Sequence, residues 1–443
     1  MMILKAAPFL LAGFVGQVST AAEEEALADW FSKAEDQRGD LPKVVLDTKL
    51  DSPEAIEKAR GSVWKAYRAG AIKRGWDQAI PAEPGGMEDW VKENQINPRK
   101  IEIGDKTMLY VVLAKGKKPK GGWPVFFCLH GGGGNARAKG PHTWQVNTRE
   151  WFAQMQLTTK LWESPGLYII PRMADDRQGR WYYRWNQVFI DRLTQQAILF
   201  NDANPDRVYL EGISEGGYSA FRLGSLMADR WAGSCAMAAA EPIGNAPIEN
   251  LRHVAFRCGI GENDKMFDRI GLARNYFKKM GELKKENPDD YKFFFDEQKG
   301  RGHGIDYKEG PAWVYQFTRT AVPKDFNWTV IKQHDLHRER MYWLALDESP
   351  SSLPLKLTAE ANKESNTVSI TAKDKDGEDA KEIRLRMYLN EELVDLDKEV
   401  TIMINGKDGF KGMVKPSMEA LIRSTAERGD PKQVFPAQVK LKF

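Results

Sequence analysis

The 443-residue chain is predicted to be an α/β protein: a mostly parallel, doubly wound sheet, followed by a small C-terminal unit that is mainly antiparallel β. Three observations predict it. From residue 101 to 322, short apolar and β-branched runs alternate with longer helical or polar segments. Most of those runs are continuously apolar, as strands buried on both faces must be. After about Pro323 the strands instead alternate apolar with polar residues, the pattern of sheets solvated on one face.

The elements follow in order. Lys5, the apolar run Ala6 to Gly16 and the small residues Ser19-Thr20-Ala21 read as a signal peptide over residues 1–21, too short to span a bilayer. The expected location is therefore secreted or periplasmic. Residues 22–100 are expected to be a helical extension without chemistry. In it Ser52 caps a helix that begins at Pro53 and carries Ile56, Ala59, Val63 and Tyr67 on one face. Candidate strands of the 101–322 unit are 108–113, 124–129, 167–171, 208–213, 234–239, 254–260 and 292–295. The segments between them are long enough to be the crossovers of a parallel sheet. In the 323–443 unit, strands are expected at 368–371, 383–387, 400–404 and 439–443. A turn is expected at Asn405-Gly406, and a helix from Ser417 to Arg428 that stops at Gly429.

Composition bounds the partners. Hydrophobic residues make up 42% and charged residues 29%, with a net charge of +3 spread along the chain. No basic stretch favours nucleic acid, and no apolar stretch spans a membrane. The three cysteines, Cys128, Cys235 and Cys258, lie in apolar runs with no metal-ligand spacing. They are expected to be buried thiols, and no metal site is expected.

The chemistry centres on Val208-Tyr209-Leu210-Glu211-Gly212-Ile213-Ser214-Glu215-Gly216-Gly217. An apolar strand ends in Gly-x-Ser-x-Gly, and a helical pattern follows (Tyr218, Phe221, Leu223, Leu226). A sharp strand-to-helix turn exposes a serine oxygen and needs small neighbours, supplied here by Gly212 and Gly216. Ser214 is the candidate nucleophile. A serine needs a base, a group to orient that base, and donors for the developing oxyanion. Phe126 to Leu129 is a buried strand ending in His130-Gly131-Gly132-Gly133-Gly134. Gly132, with Gly133 next, and the amide of Glu215 are the candidate oxyanion donors, and His130 is read as support for that loop. The strand 254–260 ends in Gly261-Glu262-Asn263-Asp264, which makes Asp264 the candidate acid and Glu262 the runner-up. The strand at 293–295 is followed by Gly300-Arg301-Gly302-His303-Gly304, so His303 is the candidate base.

These stretches resemble secreted α/β-hydrolase esterases, the feruloyl-esterase and polyhydroxybutyrate-depolymerase-like group that borders prolyl-oligopeptidase-type catalytic domains. The resemblance covers roughly residues 100 to 320 and is carried by Phe126 to Gly134, Asn204 to Leu210, Gly212 to Gly217 and Gly302-His303-Gly304. It implies an α/β-hydrolase fold, a Ser214–His303–Asp264 triad, hydrolysis of a carboxylic ester through an acyl-enzyme, and no metal or organic cofactor. Glu215 departs from the uncharged residue usual there; it would repel an acidic substrate or face solvent. A serine peptidase of the same fold and a non-catalytic carbohydrate- or surface-binding protein are the alternatives. The substrate is expected to be a small-molecule or polymer-borne ester. Trp181, Trp185 and Trp144 are candidate substrate platforms, since loops at this end of such a sheet flank the reacting centre.

Overall fold

The computed structural model describes residues 21–76, 78, 98–335 and 337–443. The expected signal peptide lies, apart from Ala21, outside the described residues. The first helices are α1 (Ala21–Ser32), α2 (Lys43–Leu46) and α3 (Pro53–Lys73). Ser52 caps α3 by accepting the Ala55 amide at 3.1 Å, with Pro53 in the first turn where its missing N–H costs nothing.

Eight strands form the central sheet: β1 (Arg99–Ile103), β2 (Lys106–Lys115), β3 (Trp123–Leu129), β4 (Gly166–Pro171), β5 (Ala203–Ile213), β6 (Gly233–Met237), β7 (Ala255–Gly261) and β8 (Phe293–Gln298). Their order is β1-β2-β4-β3-β5-β6-β7-β8. β2 runs antiparallel to both β1 and β4; every pairing from β4 to β8 is parallel. β1 was not among the expected strands. Its sequence Arg-Lys-Ile-Glu-Ile buries only Ile101, as an edge strand permits. The helices between strands are α4 (Gln145–Lys160), α5 (Arg184–Phe200), α6 (Glu215–Leu226) and α7 (Arg269–Glu286), with a short α8 (Glu309–Val314) after β8.

Strand side chains alternate between two apolar layers, which is why the central runs are apolar throughout. Val125, Phe127 and Leu129 pack with Phe189 and Leu193 of α5, Phe221 of α6 and Tyr276 of α7. Phe126 and Cys128 face the other way, with Trp151 and Met155 of α4 and Val314 of α8. Helices thus cover both faces, and the strand order with its single reversed strand β2 is that of the α/β-hydrolase fold. All three cysteines are buried free thiols.

The chain then builds two further sheets. One has the order β16-β15-β13-β12-β9 and the other β10-β11-β14-β17. Their strands are β9 (Asp325–Val330), β10 (Arg340–Met341), β11 (Leu344–Leu346), β12 (Leu355–Asn362), β13 (Thr367–Lys373), β14 (Arg384–Leu389), β15 (Val400–Ile404), β16 (Lys407–Gly412) and β17 (Ala437–Lys442). Pairing is antiparallel except between β13 and β15. Asn405 and Gly406, both with positive φ (48° and 75°), turn β15 into β16. Helix α9 (Met418–Arg428) is capped by Ser417 and closed by Gly429 at φ 58°.

These sheets are fastened to the first unit by buried groups. Phe326, Trp328, Tyr342 and Trp343 continue the apolar layer that contains Phe221 and Ala228. Arg428 donates to Asp229 at 2.8 Å, and Arg319 to Asp430 at 2.7 Å. The Asn250 side chain accepts the Thr329 amide at 2.6 Å and donates to the Thr329 carbonyl at 3.1 Å. Helices α1 and α3 pack through Phe31, Val63 and Tyr67 in a third cluster with Leu421 and Ile422 of α9.

Candidate active site

β5 delivers Ser214 into a turn too tight for any residue but glycine two positions before and two positions after it. A Cβ on Gly212 would lie 1.9 Å from the Gly216 carbonyl oxygen, and one on Gly216 would lie 2.1 Å from that of Leu129. Ser214 itself holds φ 53°, ψ −109°, an unusual backbone fixed by its amide donating to Met237 O at 2.8 Å and its carbonyl accepting from Tyr218 at 3.0 Å. α6 starts at the next residue, so the positive end of its dipole lies beside the serine.

The loops after β7 and β8 meet this turn. The Ser214 hydroxyl lies 3.1 Å from His303 Nε2, and His303 Nδ1 lies 2.7 Å from Asp264 Oδ2. A carboxylate accepts only, so Nδ1–H donates to Asp264 and Nε2 is left to accept from the serine. Asp264 is almost fully buried, while the His303 side chain is 46% exposed. Gly302 and Gly304 have open space where a side chain would stand, so the histidine sits on a loop tip that neighbours do not crowd. Glu262 does not reach His303. Its Oε2 accepts the Gly300 amide at 2.9 Å and anchors the base of that loop.

The glycine loop after β3 runs alongside. A Cβ on Gly131 would lie 3.4 Å from Ser214 Cβ and 2.6 Å from Glu150 Oε2, which brings a carboxylate of α4 to the mouth of the site. Gly132 has φ 98°, and a Cβ there would strike Asn147 Oδ1 at 2.1 Å. Among the described residues the amides of Gly132 and Glu215 donate to no protein acceptor. The expectation for Gly133 is corrected: its amide donates to Asn147 Oδ1 at 2.9 Å and is already engaged.

His130 is fully buried. Its Nδ1 donates to Gly131 O at 2.6 Å, and its Nε2 accepts the Met173 amide at 3.1 Å. Burial, reinforced by Arg172, pulls it down to about 3, so the ring is neutral and serves the loop. Trp181 is also corrected. Its indole is wholly buried, donates to His130 O at 2.9 Å and meets the His130 ring edge-on at 4.9 Å; it supports the loop from below and offers no platform. Trp185 is half-buried and packs on Tyr183 and His334. Trp144 is half-buried before α4, its backbone amide donating to Asp176 at 2.8 Å.

Glu215 neither faces solvent nor stands alone. It is 2% exposed and forms a close ion pair with Arg180. Burial pushes its carboxyl up to about 7, with Arg180 opposing part of that rise. Four groups at the site left no trace in the sequence pattern: Asn147, Arg180, Glu150 and Arg269, whose Nη1 donates to Asp264 Oδ1 at 2.9 Å. Among the described residues no cluster of three or more His, Cys, Asp or Glu is arranged to hold a metal ion. No described helix is long and apolar enough to cross a membrane.

No family model and no curated protein sequence matches the chain. Solved structures do. The chain is similar to a thermostable esterase at 15% identity and a TM-score of 0.37, over 50% of this chain and 63% of that one. It is similar to a carboxylesterase from Mesorhizobium loti at 14% identity and a TM-score of 0.31, over 50% of this chain and 98% of that one. It is also similar to a ferulic acid esterase from the anaerobic fungus Anaeromyces mucronatus at 15% identity and a TM-score of 0.30, over 51% and 90%. The match spans under two thirds of the thermostable esterase.

Proposed function

We propose that the chain is a serine hydrolase that cleaves a carboxylic ester through an acyl-enzyme. One observation carries the reading: a continuous hydrogen-bond chain from Ser214 through His303 to buried Asp264, beside two unengaged amides. In the first half-reaction Ser214 Oγ attacks the ester carbonyl while His303 Nε2 takes its proton. The Gly132 and Glu215 amides stabilise the oxyanion. The C–O bond to the alcohol breaks, and the proton on Nε2 passes to the leaving oxygen. In the second half-reaction His303 removes a proton from water, which attacks the acyl-enzyme. The acid leaves and Ser214 recovers its proton. Asp264 accepts Nδ1–H and holds the imidazole in the required tautomer.

An ester is proposed over a peptide because an ester is the more reactive acyl donor and its alkoxide leaves more readily than an amine; the triad itself serves either acyl transfer. The substrate is proposed to be a small-molecule or polymer-borne ester, with no cofactor in the chemistry. The proposal extends to a secreted or periplasmic location, supported by the pattern of residues 1–21, and to a division into residues 22–100, 101–322 and 323–443. Turnover of p-nitrophenyl butyrate beside a peptide p-nitroanilide tests the activity. Ester hydrolysis lost in Ser214→Ala is expected; robust amide cleavage with little ester turnover would establish the peptidase alternative.

A further inference from the structure

We infer that Arg269 is a positioning residue for the proposed catalytic acid, completing a closed ring of contacts around Ser214; the inference rests on the triad reading above. Arg269 is 5% exposed. Its Nη1 donates to Asp264 Oδ1 at 2.9 Å, while Oδ2 receives His303 Nδ1 at 2.7 Å. Each carboxylate oxygen thus has its own donor, and the carboxylate plane cannot turn without breaking one of them. Arg269 is itself anchored. Its Nε donates to the Tyr218 hydroxyl at 2.5 Å, and its guanidinium lies 5.6 Å from the Tyr218 ring and 5.2 Å from the Phe267 ring. Tyr218 is in the first turn of α6, where its amide bonds the Ser214 carbonyl at 3.0 Å. Contacts therefore run from Ser214 to His303, Asp264, Arg269, Tyr218 and back to Ser214.

The backbone is bent to make this possible. Phe267 and Asp268, neither of them glycine, both hold φ 56°, and the Ile270 amide returns to Asp264 O at 3.2 Å. Two successive left-handed residues cost free energy unless the surroundings enforce them. Here they fold the segment back so that the first residue of α7 faces the acid.

Arg269 also places a fixed positive charge across the carboxylate from the imidazole. The other ionisable groups facing this cluster are Tyr218 on α6, Tyr307, whose hydroxyl donates to His303 O at 3.4 Å, Glu150 on α4, Glu241 after β6 and Glu262 beside the loop base. None of them bonds the Asp264 carboxylate.

The test is the pH dependence of kcat and KM on a soluble p-nitrophenyl ester for the wild type, Arg269→Met, Arg269→Lys and Tyr218→Phe. Arg269→Met is expected to lower kcat about 10- to 100-fold with KM within about threefold. The acid limb of kcat/KM should move to higher pH, because a nearby cation has gone. Arg269→Lys should bring the limb back toward the wild type and recover part of kcat. Tyr218→Phe keeps the pair but frees its anchor, and should lower kcat a few-fold with the limb unmoved; it serves if the Met variant folds poorly. Wild-type kcat and an unmoved limb in Arg269→Met overturn the inference, as does a loss of kcat with an unmoved limb that Lys does not relieve. A wild-type protein without esterase activity overturns the triad reading and this role with it.

Discussion

Asn147 grips Gly133 from both sides: its Oδ1 accepts the Gly133 amide and its Nδ2 donates to the Gly133 carbonyl, each at 2.9 Å. The same Nδ2 donates to buried Asp176 at 2.7 Å, and Asp176 is paired with Arg172 at 2.6 Å. The glycine loop is thus held at Gly133 by a buried polar network, and among the described residues the Gly132 amide has no protein acceptor. Asn147→Ala is expected to lower kcat on a soluble ester about 10- to 100-fold with little change in KM, the signature of weakened oxyanion stabilisation. A rise in KM with kcat unchanged would place Asn147 in substrate binding instead.

Ser214→Ala and His303→Ala should each lower kcat at least about a thousandfold while leaving the circular dichroism spectrum unchanged. Asp264→Asn should do comparable damage, because the amide cannot hold the required tautomer. Glu262→Gln should cost only a few-fold, since that side chain touches the Gly300 amide and not the imidazole. Greater loss at 262 than at 264 would reverse the assignment of the acid.

Glu215 gives a pH dependence of stability with a definite sign. Burial raises its carboxyl from the ordinary 4.5 to about 7, so folding favours the protonated form. That contribution is fully present below pH 4.5 and is lost as pH rises through 7. Glu215→Gln mimics the protonated state. The Tm difference, variant minus wild type, should therefore grow more positive between pH 4.5 and just above 7. A difference that stays flat across this window in calorimetry would contradict the assignment.

The C-terminal sheets are expected to be indispensable to the fold of the unit built on the eight-stranded sheet. Arg428 is fully buried against Asp229, and its Nη2 donates to Leu344 O at 2.9 Å. Arg428→Ala strands the Asp229 carboxylate and should cost about 3–5 kcal/mol in chemical denaturation. Adding Asp229→Asn should recover part of that loss. Removing residues 323–443 exposes Ala228 and the rest of the shared layer as well, so the remainder should be insoluble or unfolded. A soluble, fully active truncated protein would show that these contacts are dispensable.

Much of the architecture was legible in the residues themselves. Continuous apolar runs such as Phe126 to Leu129 announce strands covered on both faces, and the crowding at Gly212 and Gly216 leaves a serine turn little other form. Loop order alone was enough to nominate His303 and Asp264, which the structure brings into one hydrogen-bond chain. What stayed hidden depends on direction. Trp181 looks like its neighbours Tyr182 and Tyr183 in sequence, yet its ring is buried against His130 at the start of the glycine loop. Arg269 follows Asp264 by five positions, and only the left-handed backbone at Phe267 and Asp268 turns it back. Gly133 and Gly132 are equivalent as letters; Asn147, on a helix after the loop, decides which amide is free. Weak strands were missed for a different reason. β12 reads Leu-Lys-Leu-Thr-Ala-Glu-Ala-Asn, alternating in burial but carried by small or polar residues of low strand preference.

The most direct measurement is covalent labelling by a fluorophosphonate, followed by mass mapping of the modified peptide. A nucleophilic Ser214 predicts one adduct, on the peptide containing residues 212–217, formed by the wild type and absent from Ser214→Ala. No adduct on the folded wild-type protein, or an adduct that persists in Ser214→Ala, would contradict it.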